Sequence, residues 1–432
     1  MLHRTFLGMA TAVAILSAPL AALAQSMAPA SDAPVTIRFY NYNLASAGIG
    51  RDATVEMLDS FAEAHPTIKV EGVAVPSADV MSRVQADVVA GQGPDIAQIV
   101  FSDLDYVVTN FGAPALEDIV PAGELEAHLA GIFPNGVELG RLDGKTYGLA
   151  YVFSTPVLFY NADVFRAAGL NPDAPPRTWD EVKSAALAIR SSTGKTGLIA
   201  GIFSPFDWMF QGLIRSNGGR VLSEDRKQLM FAEPEAVEAL AILRDMAKSG
   251  AMENATTANG IEAMSSGQVG MYLTTSVVQA SLLKGAAGKW ELRAAAMPAF
   301  GDRPAVPTNS GSALVVFTQD PLKQRAAWEL MKHLTSDYAY TIITSKIGYL
   351  PLRQSTIDGE AHLAPWLREN PLALPNIQQL SRMEPWVPHP GPNYRQIVTT
   401  MMNAAEQAVF GEGDPATILA EAQKRAQALM PR

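Results

Sequence analysis

At 432 residues, with 48% hydrophobic and 18% charged side chains, the chain carries enough apolar mass for two core-bearing lobes and too little charge for wholesale disorder. A formal charge of -10 with no basic run excludes nucleic acid or an anionic membrane as the main partner. The absence of cysteine excludes disulfides, thiolate metal sites and thiol nucleophiles.

The chain opens with His3 and Arg4 before an apolar run from Phe6 to Leu23, interrupted by Pro19, and Ala22-Leu23-Ala24 supplies the small residues a signal peptidase needs. Residues 1–24 are expected to be a secretory signal cleaved after Ala24, leaving a periplasmic protein with no cysteine for a lipid anchor. Val35 to Tyr42 then reads as a strand. Asp52 to Ala64 carries Val55, Leu58, Phe61 and Ala62 on one helical stripe, and His65-Pro66 stops it before a second strand, Ile68 to Val75. Ser77 is expected to cap a helix with Val80, Val84 and Val88 on one face, and Asp95 to Val100 gives a third strand. This βαβαβ order predicts a parallel sheet flanked by helices, with ligand loops at the strand carboxyl ends.

Gly148 to Asn161 is extended, with Thr155-Pro156 inside it, and reads as a crossover between lobes. Thr178-Trp179-Asp180-Glu181 is a capping box that opens a helix continuing through Val182, Ala186 and Ile189. Val306 to Phe317 is a second long extended run and Lys346 to Leu352 a third irregular stretch. Three crossings make both lobes discontinuous: residues 33–152 plus 308–348 for the first, 153–307 plus 349–432 for the second. Helices are expected over Tyr394 to Val409 and Pro415 to Leu429.

The motifs for chemistry fail one by one. Gly48-x-Gly50-x-x-Ala53 follows a strand and Glu71 lies downstream, but the glycines stand off the strand end, so a dinucleotide site is not expected. Gly194-Lys195-Thr196 lacks the upstream glycine of a phosphate loop, where Ile189 stands instead. The six histidines never pair at helical spacing, and Glu117-Asp118 or Asp180-Glu181 read as helix-entry or solvated charges. No catalytic constellation emerges, and no metal or cofactor is expected.

Ser154-Thr155-Pro156-Val157-Leu158-Phe159-Tyr160-Asn161, Phe165-Arg166-Ala167-Ala168-Gly169-Leu170 and Pro175-Pro176-Arg177-Thr178-Trp179-Asp180-Glu181 resemble the family 1 extracellular solute-binding proteins of ABC importers. Gly348-Tyr349-Leu350-Pro351 and Asn393-Tyr394-Arg395 resemble the glycerol-phosphate-binding members of that family. The resemblance implies an α/β, two-lobed periplasmic-binding-protein fold, each lobe a mostly parallel sheet flanked by helices, hinged by several segments and closing over one small solute before docking on a membrane permease. It also implies a monomer with no nucleic-acid partner. Carried over position by position, it implies ligand contacts at Ser154, at Thr275 or Ser276, at Gly311 through its N–H, at Tyr349, and at Arg395. Ser77 and Ala78 stand where a tyrosine is expected, Phe101 stands where an acid receives hydroxyls, and the covering aromatic is Phe206 or Trp208.

Arg395 is also an unusual residue for its place in the helix. A cation in the first helical turn opposes the helix dipole by about 0.3–1 kcal/mol, so Arg395 two residues after a capping Asn393 makes sense beside an anion. Tyr349, between Gly348 and Leu350-Pro351, is placed either in the core or aimed into a cleft. Phe203, Phe206, Trp208 and Phe210 crowd together, enough to cover a polyol or sugar face or to box a quaternary ammonium. Ser154, Thr275, Ser276 and Ser312, near Gly311, offer hydroxyl donors. Asp103 and Asp105 are alternatives to the missing acid, with a helix cap at Ser102-Asp103 the preferred reading. The expected function is periplasmic capture of glycerol 3-phosphate or a glycerophosphodiester by hinge closure. The alternatives are an oligosaccharide receptor of the same transporter class and an exported hydrolase.

Overall fold

The computed structural model describes residues 33–46 and 48–431, so the expected signal segment lies outside the described residues. Among those residues no helix is long and apolar enough to cross a membrane.

In chain order the strands that form the two main sheets are β1 (Val35–Asn41), β2 (Ile68–Ala74), β3 (Ile96–Val100), β4 (Gly148–Ser154), β5 (Pro156–Asn161), β6 (Thr196–Ala200), β7 (Met252–Glu253), β8 (Val269–Thr275), β9 (Leu292–Ala296) and β10 (Ser310–Val316). The first sheet has the order β2-β1-β3-β10-β4 and the second β9-β5-β8-β6-β7. In the first, β10 alone runs against its neighbours. In the second the reversed strand is β5. Both reversed strands follow a crossing from the other sheet. A strand that arrives across the gap enters its new sheet at the edge where the resident strands end, so it has to run the other way. The expectation of mostly parallel sheets flanked by helices therefore holds, with one antiparallel insertion in each.

Local signals set most elements. Val35-Thr-Ile-Arg-Phe-Tyr-Asn41 alternates until its last residues, and β3, β4 and β5 are buried along their whole length, as their predominantly apolar sequence requires when helices cover both faces. The helix Trp179–Thr193 starts at the capping box: Glu181 N–H donates to Thr178 Oγ1 at 3.2 Å while Glu181 Oε2 accepts from Thr178 N–H at 3.4 Å, and Gly194 ends it at φ 70°. Ser77 does not cap the next expected helix. That helix begins at Val80 after a backbone turn in which Asp79 N–H donates to Pro76 O at 2.9 Å.

Thr155 alone separates β4 from β5, and residues 297–309 carry the chain from β9 back to β10. The third passage differs from its expected position at Tyr349. Leu350 N–H donates to Phe153 O and Phe133 N–H to Leu352 O, both at 2.9 Å, so residues 349–353 stay with the first half. Packing shifts to the second sheet at residues 371–378, which lie against β5 and β9.

Candidate binding cleft

A hollow of about 230 Å³ lies between the halves. Ser77, Ala78, Ser102 and Asp103 line it from the first, and Phe206, Trp386, Tyr394 and Arg395 are among its lining from the second. A larger hollow of about 650 Å³ beside β1 and the helix Pro321–Leu334 is lined by one half only and brings no groups together across the gap.

Asp103 ends the single turn Phe101–Asp103 that follows β3, and its side chain caps nothing. The carboxylate instead accepts a short hydrogen bond from Tyr394 Oη and lies 3.4 Å from Arg395 Nη2 through each oxygen. Burial pushes the Asp103 carboxyl up, against the pull of the Arg395 guanidinium and the Tyr394 hydroxyl. Arg395 sits in the first turn of the helix Tyr394–Phe410, its side chain 52% exposed, with Nε donating to Tyr394 Oη at 2.9 Å. Asn393 does not cap that helix; its amide donates to Leu429 O at 3.2 Å. The helix-cap reading of Asp103 is thus replaced by a polar pair spanning the hollow. Phe101, where the acid was expected, is 2% exposed in the core, because it continues the apolar run of β3.

Of the two candidate aromatics, Phe206 lines the hollow at 37% exposure, while Trp208 is in the core at 7%. The ring of Phe206 stands edge-on to Trp386, centroids 6.1 Å apart at 87°. Trp386 was not foreseen. It is held by Asp207, whose Oδ1 accepts from Trp386 Nε1 at 2.8 Å and whose Oδ2 accepts from Gln211 Nε2 at 2.9 Å and lies 3.0 Å from His389 Nε2. Burial raises the Asp207 carboxyl, yet His389, Gln211 and Trp386 together hold it below the usual range. The signal was a lone tryptophan in the proline-spaced stretch Pro385-Trp386-Val387-Pro388-His389-Pro390, which has no helical or strand period to explain it.

The predicted hydroxyl residues assemble where β4, β8 and β10 meet. Thr275 Oγ1 donates to Ser154 Oγ at 2.7 Å, and Ser276 Oγ donates to Gly348 O at 3.1 Å. Ser312 Oγ accepts from Tyr42 Oη at 3.1 Å and from Gln98 Nε2 at 2.9 Å. Tyr349 is half-buried, and the burial of its hydroxyl near Tyr42 and Tyr151 pushes its pKa up. Gly311 has a packing reason to be glycine: at φ 124°, an added Cβ would lie 2.0 Å from Val152 O. Around this group Asn41 Nδ2, Asn43 Nδ2, Tyr151 Oη and Asn309 Nδ2 are buried without a partner. Asn309 Oδ1 also accepts from Trp386 N–H at 2.7 Å, which links this cluster to the aromatic wall.

The arrangement offers a cation, a carboxylate and an aromatic wall in one hollow, a set suited to holding a polar solute. Comparison with known proteins places the chain in a family. The family of bacterial extracellular solute-binding proteins matches residues 56–374. The sn-glycerol-3-phosphate-binding periplasmic protein of Brucella melitensis is 26% identical over 358 residues, covering 78% of this chain and 80% of that one. Among solved structures, the cyclic alpha-maltosyl-1,6-maltose binding protein from Arthrobacter globiformis superposes with a TM-score of 0.79 at 24% identity, covering 92% of this chain and 99% of that one. UgpB from Mycobacterium tuberculosis, in complex with glycerophosphocholine, gives 0.78 at 20% identity, covering 92% and 98%. The two structural likenesses carry the fold, and the sequence match spans most of the same two-sheet plan. The protein belongs to the bacterial extracellular solute-binding family.

Proposed function

We propose that the cleft captures a glycerol-phosphate-type solute, the monoester or a glycerophosphodiester, as the halves close about the three crossings near Thr155, residues 297–309 and residues 369–371. The chain is the substrate-binding component of an ABC transporter, and its relatives are extracellular or periplasmic solute-binding proteins rather than enzymes. The observation that carries the choice of solute is the pair Asp103 and Arg395, which reach the same hollow from opposite halves at a separation of 3.4 Å. That contact is long for a charge-assisted hydrogen bond, so a solute can part it. The guanidinium then receives phosphate oxygens, the carboxylate receives hydroxyls, and Phe206 and Trp386 cover the carbon skeleton. A buried phosphate needs such a cation, because desolvation without one costs many kcal/mol. The names of the Brucella and Mycobacterium relatives support the same solute class.

A second reading has its own support: Asp103 already balances Arg395, so a neutral oligosaccharide can bind both groups without burying net charge. Calorimetric titration with sn-glycerol 3-phosphate, glycerophosphocholine and maltose separates the two. Organophosphate binding is expected, weakened by about 2–5 kcal/mol in Arg395→Ala. Binding of maltose alone, or a loss under tenfold in the variant, overturns the phosphate assignment.

A further inference from the structure

The loop Ser223–Gln228 carries a side chain that its backbone does not favour. Leu222 and Leu229 pair across it, Ser223 N–H donates to Gln228 O, and Arg226 N–H donates to Ser223 O, both at 2.9 Å. This closure places Arg226 at φ 58°, a left-handed conformation that glycine or asparagine adopts at least cost. Among the described residues only Asp143 is a second non-glycine residue at positive φ, and it stands before Gly144 in the turn between Arg141–Leu142 and Lys145–Thr146, where Asp-Gly is the usual pair. Arg226 has no comparable local reason.

It has a remote one. Arg226 Nη2 donates to Asp105 Oδ2 at 2.5 Å and to Pro388 O at 3.2 Å, while Nη1 lies 3.9 Å from Asp143 Oδ1. The loop belongs to the second half: Leu229 N–H donates to Gln427 Oε1 at 2.7 Å, and Gln427 Nε2 to Lys227 O at 2.9 Å. Asp105 belongs to the first, in the helix Leu104–Phe111 that leaves β3, and so does Asp143, whose hairpin is tied by Thr146 N–H to Glu117 at 3.0 Å. The guanidinium therefore crosses from half to half. The pair is also shielded, with side chains 21% and 6% exposed, although Nε of Arg226 is left buried without a partner. Strain kept at one residue, an incomplete fork and a reach across the gap all point to a role outside the loop.

We propose that Arg226 is a positioning residue for solute capture: it clasps Asp105 and Asp143 at the rim and sets the population of the closed state without touching solute. The proposal rests on the closing-halves reading given above. A receptor's apparent affinity scales with the fraction of molecules able to close, so the clasp tunes affinity from a distance.

Arg226→Gly is the sharpest test, since it removes the side chain and relieves the backbone at once. The melting temperature should hold or rise, the radius of gyration of the unliganded protein in small-angle scattering should increase, and the affinity for sn-glycerol 3-phosphate should fall about tenfold. Asp105→Asn should reproduce the opening, and the double variant should open no further than either single one. An unchanged radius in Arg226→Gly overturns the clasp, whatever the affinity does. A sharp fall in melting temperature at constant radius also overturns it, because Arg226 is then a staple of its own loop. If the radius rises as expected but neither sn-glycerol 3-phosphate nor glycerophosphocholine binds the unaltered protein, the clasp stands and the solute assignment fails.

Discussion

Two of the polar clusters between the halves are built in opposite ways. At the crossing, Thr155, Asn376 and Gln379 are neutral and sealed at 0%, 2% and 0% exposure. Gln379 Nε2 donates to Pro156 O at 2.6 Å and reaches Asn376 Oδ1 and Thr155 Oγ1 at 2.7 and 3.1 Å, while Gln379 Oε1 accepts from Met297 N–H at 3.2 Å. One amide thus joins the first two crossings to the helical segment that follows the third. At the mouth, Asp103 and Arg395 are charged, 3.4 Å apart, and the arginine is half exposed. Neutral, sealed hydrogen bonds have no cheaper partner to move to, whereas the half-exposed guanidinium of Arg395, held to a buried Asp103 at 3.4 Å, can turn to a solute anion. Under the proposed function, the rigid cluster lies where the chain turns and the exchangeable pair where the solute enters.

The largest expected effect falls on the rigid cluster. Gln379→Leu leaves Met297 N–H and the Thr155 and Asn376 side chains with fewer partners in a sealed site, and should cost about 3 kcal/mol of unfolding free energy in a urea titration. A loss below about 1 kcal/mol would show water reaching the knot, and the contrast with the mouth would collapse. A smaller effect is expected at the pinned rim of the mouth. Trp386→Phe keeps the ring against Phe206 but takes a donor from the buried Asp207 carboxylate, and should cost about 2 kcal/mol. If solute affinity survives that change while Phe206→Ala weakens it, the wall acts through its apolar face and the hydrogen bond serves only to hold it.

Much of the rigid part was legible in sequence, because its signals are local. The βαβ opening shows in the alternation of Val35 to Asn41, the helix Trp179–Thr193 in its capping box, and the first crossing in a proline after Thr155 inside an apolar run. The mouth was legible only in part. Arg395 stood out as a cation at a helix start, but its partner Asp103 is 292 residues away, a separation that no local pattern encodes. The position two residues earlier, Phe101, is where the family resemblance puts the acid; a single tight turn after β3 carries the next acidic side chain to the hollow instead. Phe206 and Trp208 could not be told apart, since both are aromatic and only helix entry at Trp208 turns one inward. Gly311 was visible as a glycine, but the backbone of β4 that forbids a Cβ there was not.

The smallest effect tests which force governs the mouth itself. Burial holds the folded Asp103 carboxyl above the usual carboxylate range, with Arg395 and Tyr394 opposing the shift without cancelling it. An acid whose folded pKa is raised favours its protonated form in the folded chain. Its contribution to stability is complete below the unfolded value near 3.9 and is lost as pH rises through the folded value. Unaltered protein should therefore gain on Asp103→Asn as pH is lowered from 7 toward 4, by at most about 1.4 kcal/mol per pH unit for one proton. Urea midpoints of both proteins at pH 7, 6, 5 and 4 measure that gain. Parallel curves would mean that Asp103 titrates alike in both states, and a gain in the opposite direction would mean that Arg395 outweighs burial. In that last case the pair is a firm salt bridge instead of an exchangeable one, and a solute would have to break it at a cost that the aromatic wall alone does not offset.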